Sequence, residues 1–212
     1  ISELVGADYK EVEEGLKSEE RIGYKAYLSA GAAFAGGTLA RDIEFLKLLS
    51  SQYKKNNLKI DLIKSIKQSN NNHKKWVINK VKNTTLNLSS KKIVLWGLSY
   101  KENSNTLRRS LAVEVGNQLI KQGASLNVFD PIVSKLPKSW NNKVNLYSDM
   151  YESIESVDML IVCTNSVLYK DIIIKNILKK TKKLTIVDQN GYLSKIDGIN
   201  SNKNILYYCL GS

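Results

Sequence analysis

The stretch GAAFAGGTLARD, residues 31–42, ends in a hydroxyl, a guanidinium and a carboxylate: Thr38, Arg41 and Asp42. Three of the chain's 12 glycines stand here, just ahead of the basic–acidic pair. A threonine hydroxyl is a weak nucleophile without a base beside it, and the one histidine, His73, lies far along the sequence. The second unusual segment is GLSYKENSNTLRRS, residues 97–110. The chain carries 32 basic residues, yet its four arginines, Arg21, Arg41, Arg108 and Arg109, all fall within 21–42 or 97–110. Arginine grips phosphate or carboxylate with a planar fork that lysine lacks, so both segments read as places to hold an anion. For Lys101 and Arg108 two readings stand: a solvated loop lysine with a first-turn helix arginine, or a cationic loop closing on an anion.

Behind these segments, residues 1–90 read as helical. Leu4, Val5, Val12 and Leu16 recur at roughly helical spacing, interrupted by a Gly-Ala-Asp turn. Thr38 then reads as an N-cap, followed by Leu39, Ile43, Leu46 and Leu49 on one face, with Asp42 and Glu44 in the turns where acids suit the helix dipole. A further helix is expected from Leu58 to about Val81. Its middle, QSNNNHKK, is wholly polar, as in a helix that connects two bodies or pairs with a second copy of itself.

From Lys91 the pattern changes. KKIVLWGLSY reads as a buried strand ending in glycine, NTLRRSLAVEVGNQLIKQG as a helix closed by Gly123, and SLNVFDP as a strand. VNLYS, VDMLIVCT, LTIVD and NILYYCLG supply the other strands, DMYESIES and VLYKDIIIKNILKK the other helices. Strands alternating with helices imply βαβ units and a parallel sheet. The expected architecture is therefore α/β: a helical domain with a connecting helix over 1–90, joined to a doubly wound parallel-sheet domain over 91–212. Ligands of such sheets bind beyond the carboxyl ends of the strands, where Gly97 and Asp130 fall. A single glycine there is not the GxGxxG turn of a dinucleotide site, and Asp130 either meets a ribose or merely ends its strand.

A hydrophobic content of 42% with 25% charged residues is that of an ordinary globular protein. No run of about 18 apolar residues is present to span a membrane, and no secretion leader is visible. Cys163 and Cys209 lie inside apolar runs and read as buried strand residues of a reducing compartment, pointing to the cytoplasm. No metal site is expected, since His73 has no cysteine partners nearby. The net charge of +12 comes from lysine scattered along the chain without a nucleic-acid-binding signature, so it reads as solvated surface.

Three ordered motifs carry a family resemblance. GLSYKENSNTLRRSLA resembles the segment GLxFKxxTDDxRxSPA that opens the nucleotide-binding domain of the UDP-glucose/GDP-mannose dehydrogenase family. GAAFAGGTLARD is similar to that family's catalytic loop, GxGFGGSCxxKD, and the RIG at 21–23 matches the RIG preceding it. ISELVGADYKEV is similar to the family helix EIxxLxxxxGADxxEV. The resemblance implies an NAD-dependent oxidation of the CH–OH group of a UDP- or GDP-sugar. It also implies a dimer made by the helical domain and a Rossmann-like nucleotide domain, with an NAD-binding N-terminal domain absent from this chain, which opens at Ile1 rather than Met.

By the same resemblance, Arg21 reaches the substrate of a neighbouring subunit, and Phe34, Gly36 and Gly37 lie against the sugar. Tyr100 and Lys101 match the Phe-Lys pair on the nucleotide, Arg108 matches the arginine meeting NAD, and Asp42 the acid that helps activate water. Thr38 departs from the family cysteine, whose thiol attacks the intermediate aldehyde. Arg41 replaces a lysine and stays protonated, while Asn105 and Thr106 replace the two acids of TDDxR. Two functions are therefore carried forward: an oxidoreductase with altered chemistry, stopping at the aldehyde or proceeding through its hydrate, and a redox-inactive nucleotide-sugar-binding protein. A basic scaffold without a nucleotide, with Thr38 only a helix cap, is a third reading.

Overall fold

The structure, a computed structural model, describes residues 1–35, 37–53, 60–140 and 142–211. Helices α1 (Ser2–Val5) and α2 (Tyr9–Ser18) are separated at Gly6, which takes the left-handed conformation open to glycine. Asp8 then caps α2 by accepting from the Lys10 N–H at 2.7 Å. Helix α3 spans Thr38–Gln52 and packs on α4, Asp61–His73, with Glu44 paired to Lys67 across the contact.

Two expectations for these helices need correction. The N-cap of α3 is Gly37; Thr38 is its first helical residue and makes no capping bond. The long helix is two: α4 ends at His73 and α5 runs Trp76–Thr84, with Lys74 and Lys75 between them (Leu58 lies outside the described residues). No glycine or proline causes the break. The partners differ instead: α4 faces α3, whereas Val77, Ile78 and Val81 of α5 are buried in the core of the sheet.

Six strands form one parallel sheet in the order β3-β2-β1-β4-β5-β6. They are β1 (Lys92–Trp96), β2 (Ser125–Phe129), β3 (Val144–Tyr147), β4 (Met159–Val162), β5 (Leu184–Asp188) and β6 (Ile205–Cys209). The central strands are apolar along their length because both faces are covered. Along β1, Ile93 and Leu95 join the core under α5 and α6 (Leu111–Lys121), and Val94 and Trp96 the core on the other side.

Helix α6 begins only at Leu111, so Asn105–Arg109 belong to the loop and not, as expected, to the helix. Ser110 stops the helix there: its Oγ accepts from Val113 N–H (3.2 Å) and donates to the Leu98 carbonyl (2.7 Å). Helix α7 is the single turn Met150–Ser153, and the expected VLYKDIIIKNILKK helix divides into a 3-10 segment, Val167–Asp171, and α8, Ile174–Lys180. The division buries Tyr169, Ile172, Ile174 and Ile177 together.

Candidate functional site

The strand order reverses between β1 and β4, and a crevice opens there at the carboxyl edge of the sheet. Gly97 ends β1 at φ +83°, and a Cβ on it would lie 2.6 Å from the Thr164 carbonyl, so the loops leaving β1 and β4 touch. Asp130 orders both the β1 loop and the turn just after β2. Its Oδ2 accepts from Leu98 and Ser99 (2.7 and 3.1 Å) and its Oδ1 from Ile132 and Val133 (2.9 and 2.8 Å). Buried and four times bonded, this carboxylate holds the loop and has no capacity left for a ribose. The cavity above it, about 220 Å³, is lined by Gly97, Ser99, Glu102, Asp130, Asn165 and Ser166 among others.

Within the loop, Tyr100 N–H donates to the Thr106 carbonyl (2.8 Å) and Ser99 Oγ to that of Lys101 (2.9 Å). The chain thereby closes on itself and leaves Tyr100 and Lys101 at the surface, with Lys101 Nζ 5.9 Å from the Tyr100 ring centre. Arg108 is exposed, and Arg109 adopts a left-handed φ of 64°.

The other segment is laid down at the same edge. The Asn190 side chain, just past β5, accepts from Ala32 N–H at 2.7 Å. From α4, His73 Nε2 donates to the Gly31 carbonyl (2.7 Å), while Asn70 both accepts from Phe34 N–H (2.9 Å) and donates to the Phe34 carbonyl (3.0 Å). Phe34 lines an open cavity of about 430 Å³ with Leu62, Ile66, Asn70 and His73. Gly37, Thr38, Arg41 and Asp42 are exposed beyond it, and Gly36 lies outside the described residues. Arg41 Nε stands 3.7 Å from Asp42 Oδ1. Arg21 is exposed and bonded to Glu19 at 2.8 Å. Thr38, Arg41 and Asp42 thus share the first turns of α3, and Tyr100 and Lys101 share one loop tip; none of the five lines the cavity above Asp130 or the one beside Phe34.

Sequence reasoning missed Asn70, His73 and Asn190. The only visible signal was the polar run of α4, which read as a wet surface and is in part a set of ligands for the loop. It also missed a buried group beneath the edge. Asp188, fully buried at the end of β5, accepts from Leu193 N–H (2.7 Å) and Tyr207 Oη (2.8 Å), while its Oδ1 has no partner among the described residues. Burial raises the Asp188 pKa above the ordinary carboxylate value. Burial and the Asp188 charge push the Cys163 thiol up to about 12, so this free cysteine is no replacement nucleophile for Thr38.

A 3-2-1-4-5-6 parallel sheet with a switch-point crevice, and a helical unit whose loop is fastened to the same edge, define a doubly wound α/β unit coupled to a helical one. Models of two domains of one family match the chain: the UDP-glucose/GDP-mannose dehydrogenase family central domain over residues 1–72 and the UDP binding domain of that family over 94–195. The chain belongs to the UDP-glucose/GDP-mannose dehydrogenase family. It is 28% identical to the UDP-glucose 6-dehydrogenase of Rickettsia typhi over 217 residues, covering 100% of this chain and 48% of the relative. With a UDP-glucose 6-dehydrogenase of Bacillus subtilis the identity is 26% over 195 residues, 92% of this chain and 41% of the relative. The solved UDP-glucose dehydrogenase of Pyrobaculum islandicum shares the fold, with a TM-score of 0.74 at 20% identity over 96% of this chain and 43% of that one. The chain spans about half the length of the curated relatives it matches. No helix among the described residues is long and apolar enough to cross a membrane.

Proposed function

We propose that this chain supplies the sugar-facing and nucleotide-binding parts of a cytoplasmic dehydrogenase that oxidises the CH–OH group of a UDP-sugar, with residues 1–90 forming the dimerising unit and 91–212 the nucleotide unit. The observation that carries the reading is the Ala32–Asn190 hydrogen bond. It fastens the loop ahead of Thr38 to the sheet edge from which the Tyr100–Lys101 loop rises, so one extended ligand can meet both.

In this reading Lys101 offsets the charge of the diphosphate and Tyr100 lies against the base. Phe34 and the backbone at Gly36 and Gly37 face the sugar, and Asp42 with Arg41 orients water. NAD, the hydride acceptor that the resemblance implies, does not fit the α/β unit: the loop after β1 has one glycine, and Asp130 is fully bonded to backbone. Arg108, exposed at the end of that loop, is the only residue we assign toward it, and the other assignments are to binding and positioning alone. A hydroxyl stands at position 38 and Asp42, one turn on along α3, is assigned to the water, so the aldehyde is released or reacts as its hydrate rather than through a covalent adduct. The same observation favours the second reading, a protein that binds the nucleotide sugar without turnover. GDP-sugars remain the competing ligand.

Thermal unfolding with UDP, GDP and NAD at equal millimolar concentration tests this. UDP at about 100 times its Kd should add roughly 2.7 kcal/mol, a rise of several degrees, and Lys101→Ala should remove it. A rise with NAD alone would overturn the assignment.

A further inference from the structure

We infer that Asn70, with His73 and Asn190, is a positioning residue for the sugar-facing loop, acting through its backbone and touching no substrate. The inference rests on the nucleotide-sugar reading above. The Gly31 carbonyl and the Ala32 N–H belong to one peptide plane. His73 holds the first at 2.7 Å from α4, and Asn190 holds the second at 2.7 Å from the end of β5. That plane is gripped at both polar atoms from two different parts of the molecule.

Asn70 does the same for the two planes flanking Phe34, accepting from its N–H at 2.9 Å and donating to its carbonyl at 3.0 Å. A side-chain amide placed this way replaces the partner strand that the loop lacks. Asn70 and His73 are three residues apart and so lie on one face of α4. Three of the four peptide planes from Gly31 to Ala35 are therefore fixed before the chain reaches Gly37 and Thr38. The arrangement also explains the first glycine of the stretch: a Cβ on Gly31 would stand 2.7 Å from Asn190 Oδ1. A loop set in advance orders nothing further when ligand arrives.

Hydrogen–deuterium exchange read at Phe34 and Ala32 tests the clamp in the 212-residue chain. Asn70→Ala should speed Phe34 exchange about tenfold with the melting temperature of the whole nearly unchanged, while Asn71→Ala, an exposed neighbour on the same helix, should change neither. Asn70→Asp supplies the rescue: ionised, it accepts from Phe34 N–H but cannot donate to the carbonyl, and protonated in acid it does both, so protection should return as pH falls. If Asn70→Ala does not fold, Asn190→Ala gives the same comparison at Ala32.

Positioning further requires a split in binding. Asn70→Ala should weaken UDP-glucose about fivefold relative to UDP, because only the sugar meets this loop. Unchanged exchange overturns the clamp, and an equal loss for both ligands reduces it to a structural contact. If the unsubstituted chain binds neither ligand, the nucleotide-sugar reading has failed, and the exchange comparison still decides for or against the clamp.

Discussion

Asp188 is a carboxylate inside the protein with one oxygen satisfied twice and the other without a partner among the described residues. Its folded pKa is raised, so between the ordinary carboxylate value and that raised value the folded state binds more protons than the unfolded one. Stability must fall as pH rises through that window. Asp188→Asn keeps an acceptor for Leu193 and Tyr207 while removing the charge, and should flatten the decline; urea midpoints from pH 4 to 7 would show it, and an unchanged slope would count against the assignment. Thr38 is the opposite case, exposed at the start of α3. Thr38→Cys should be alkylated by iodoacetamide at pH 8 within minutes, whereas Cys163, with its thiol near 12, stays unmodified until the protein unfolds. Given a UDP-sugar aldehyde, the new thiol should add to the carbonyl carbon, its proton passing to the oxygen, and the intact mass should rise by that of the aldehyde.

At the scale of elements, two glycines are fixed by what surrounds them, Gly116 against its local helix propensity and Gly97 in agreement with its backbone conformation. In α6, Gly116→Ala would gain about 1 kcal/mol of helix propensity, but its methyl would run into the Trp140 ring. We expect a net loss of about 1–3 kcal/mol by overpacking, read by chemical denaturation. Gly97→Ala should cost more, since both its positive φ and the Thr164 backbone oppose a side chain. The strands were legible because a doubly covered parallel sheet writes itself as apolar runs such as KIVLW and MLIV, whereas their order in the sheet came only with the structure. The helix boundaries were not. The start of α6 depends on what Ser110 bonds to, and the break after His73 depends on which surfaces α4 and α5 meet. In the site, Gly97 and the Tyr100–Lys101 turn were legible as local sequence. Asn70, His73 and Asn190 were not, because a polar residue on a helix or loop looks the same whether it faces water or a backbone.

As a whole molecule, the chain is unevenly finished. The sheet buries its aliphatic residues almost completely, yet α3 buries only Ile43 and leaves Leu39, Phe45, Leu46 and Leu48 open to solvent. Apolar side chains exposed over about half of the helix surface fit contact with a second copy of the helical unit. Sedimentation should report a dimer, and Phe45→Glu with Leu46→Lys should return a 23.9 kDa monomer that still melts cooperatively; a monomer before substitution would sink the dimer.

The Ala32–Asn190 bond joins residues 158 positions apart. Bringing such distant points together is entropically unfavourable until the intervening chain is already organised. We therefore expect the loop ahead of Thr38 to be among the final parts to settle during folding, after β5 has docked. In a pulse-labelling experiment the Ala32 amide becomes a completion signal: its protection marks the moment when the helical unit and the far end of the sheet have found each other.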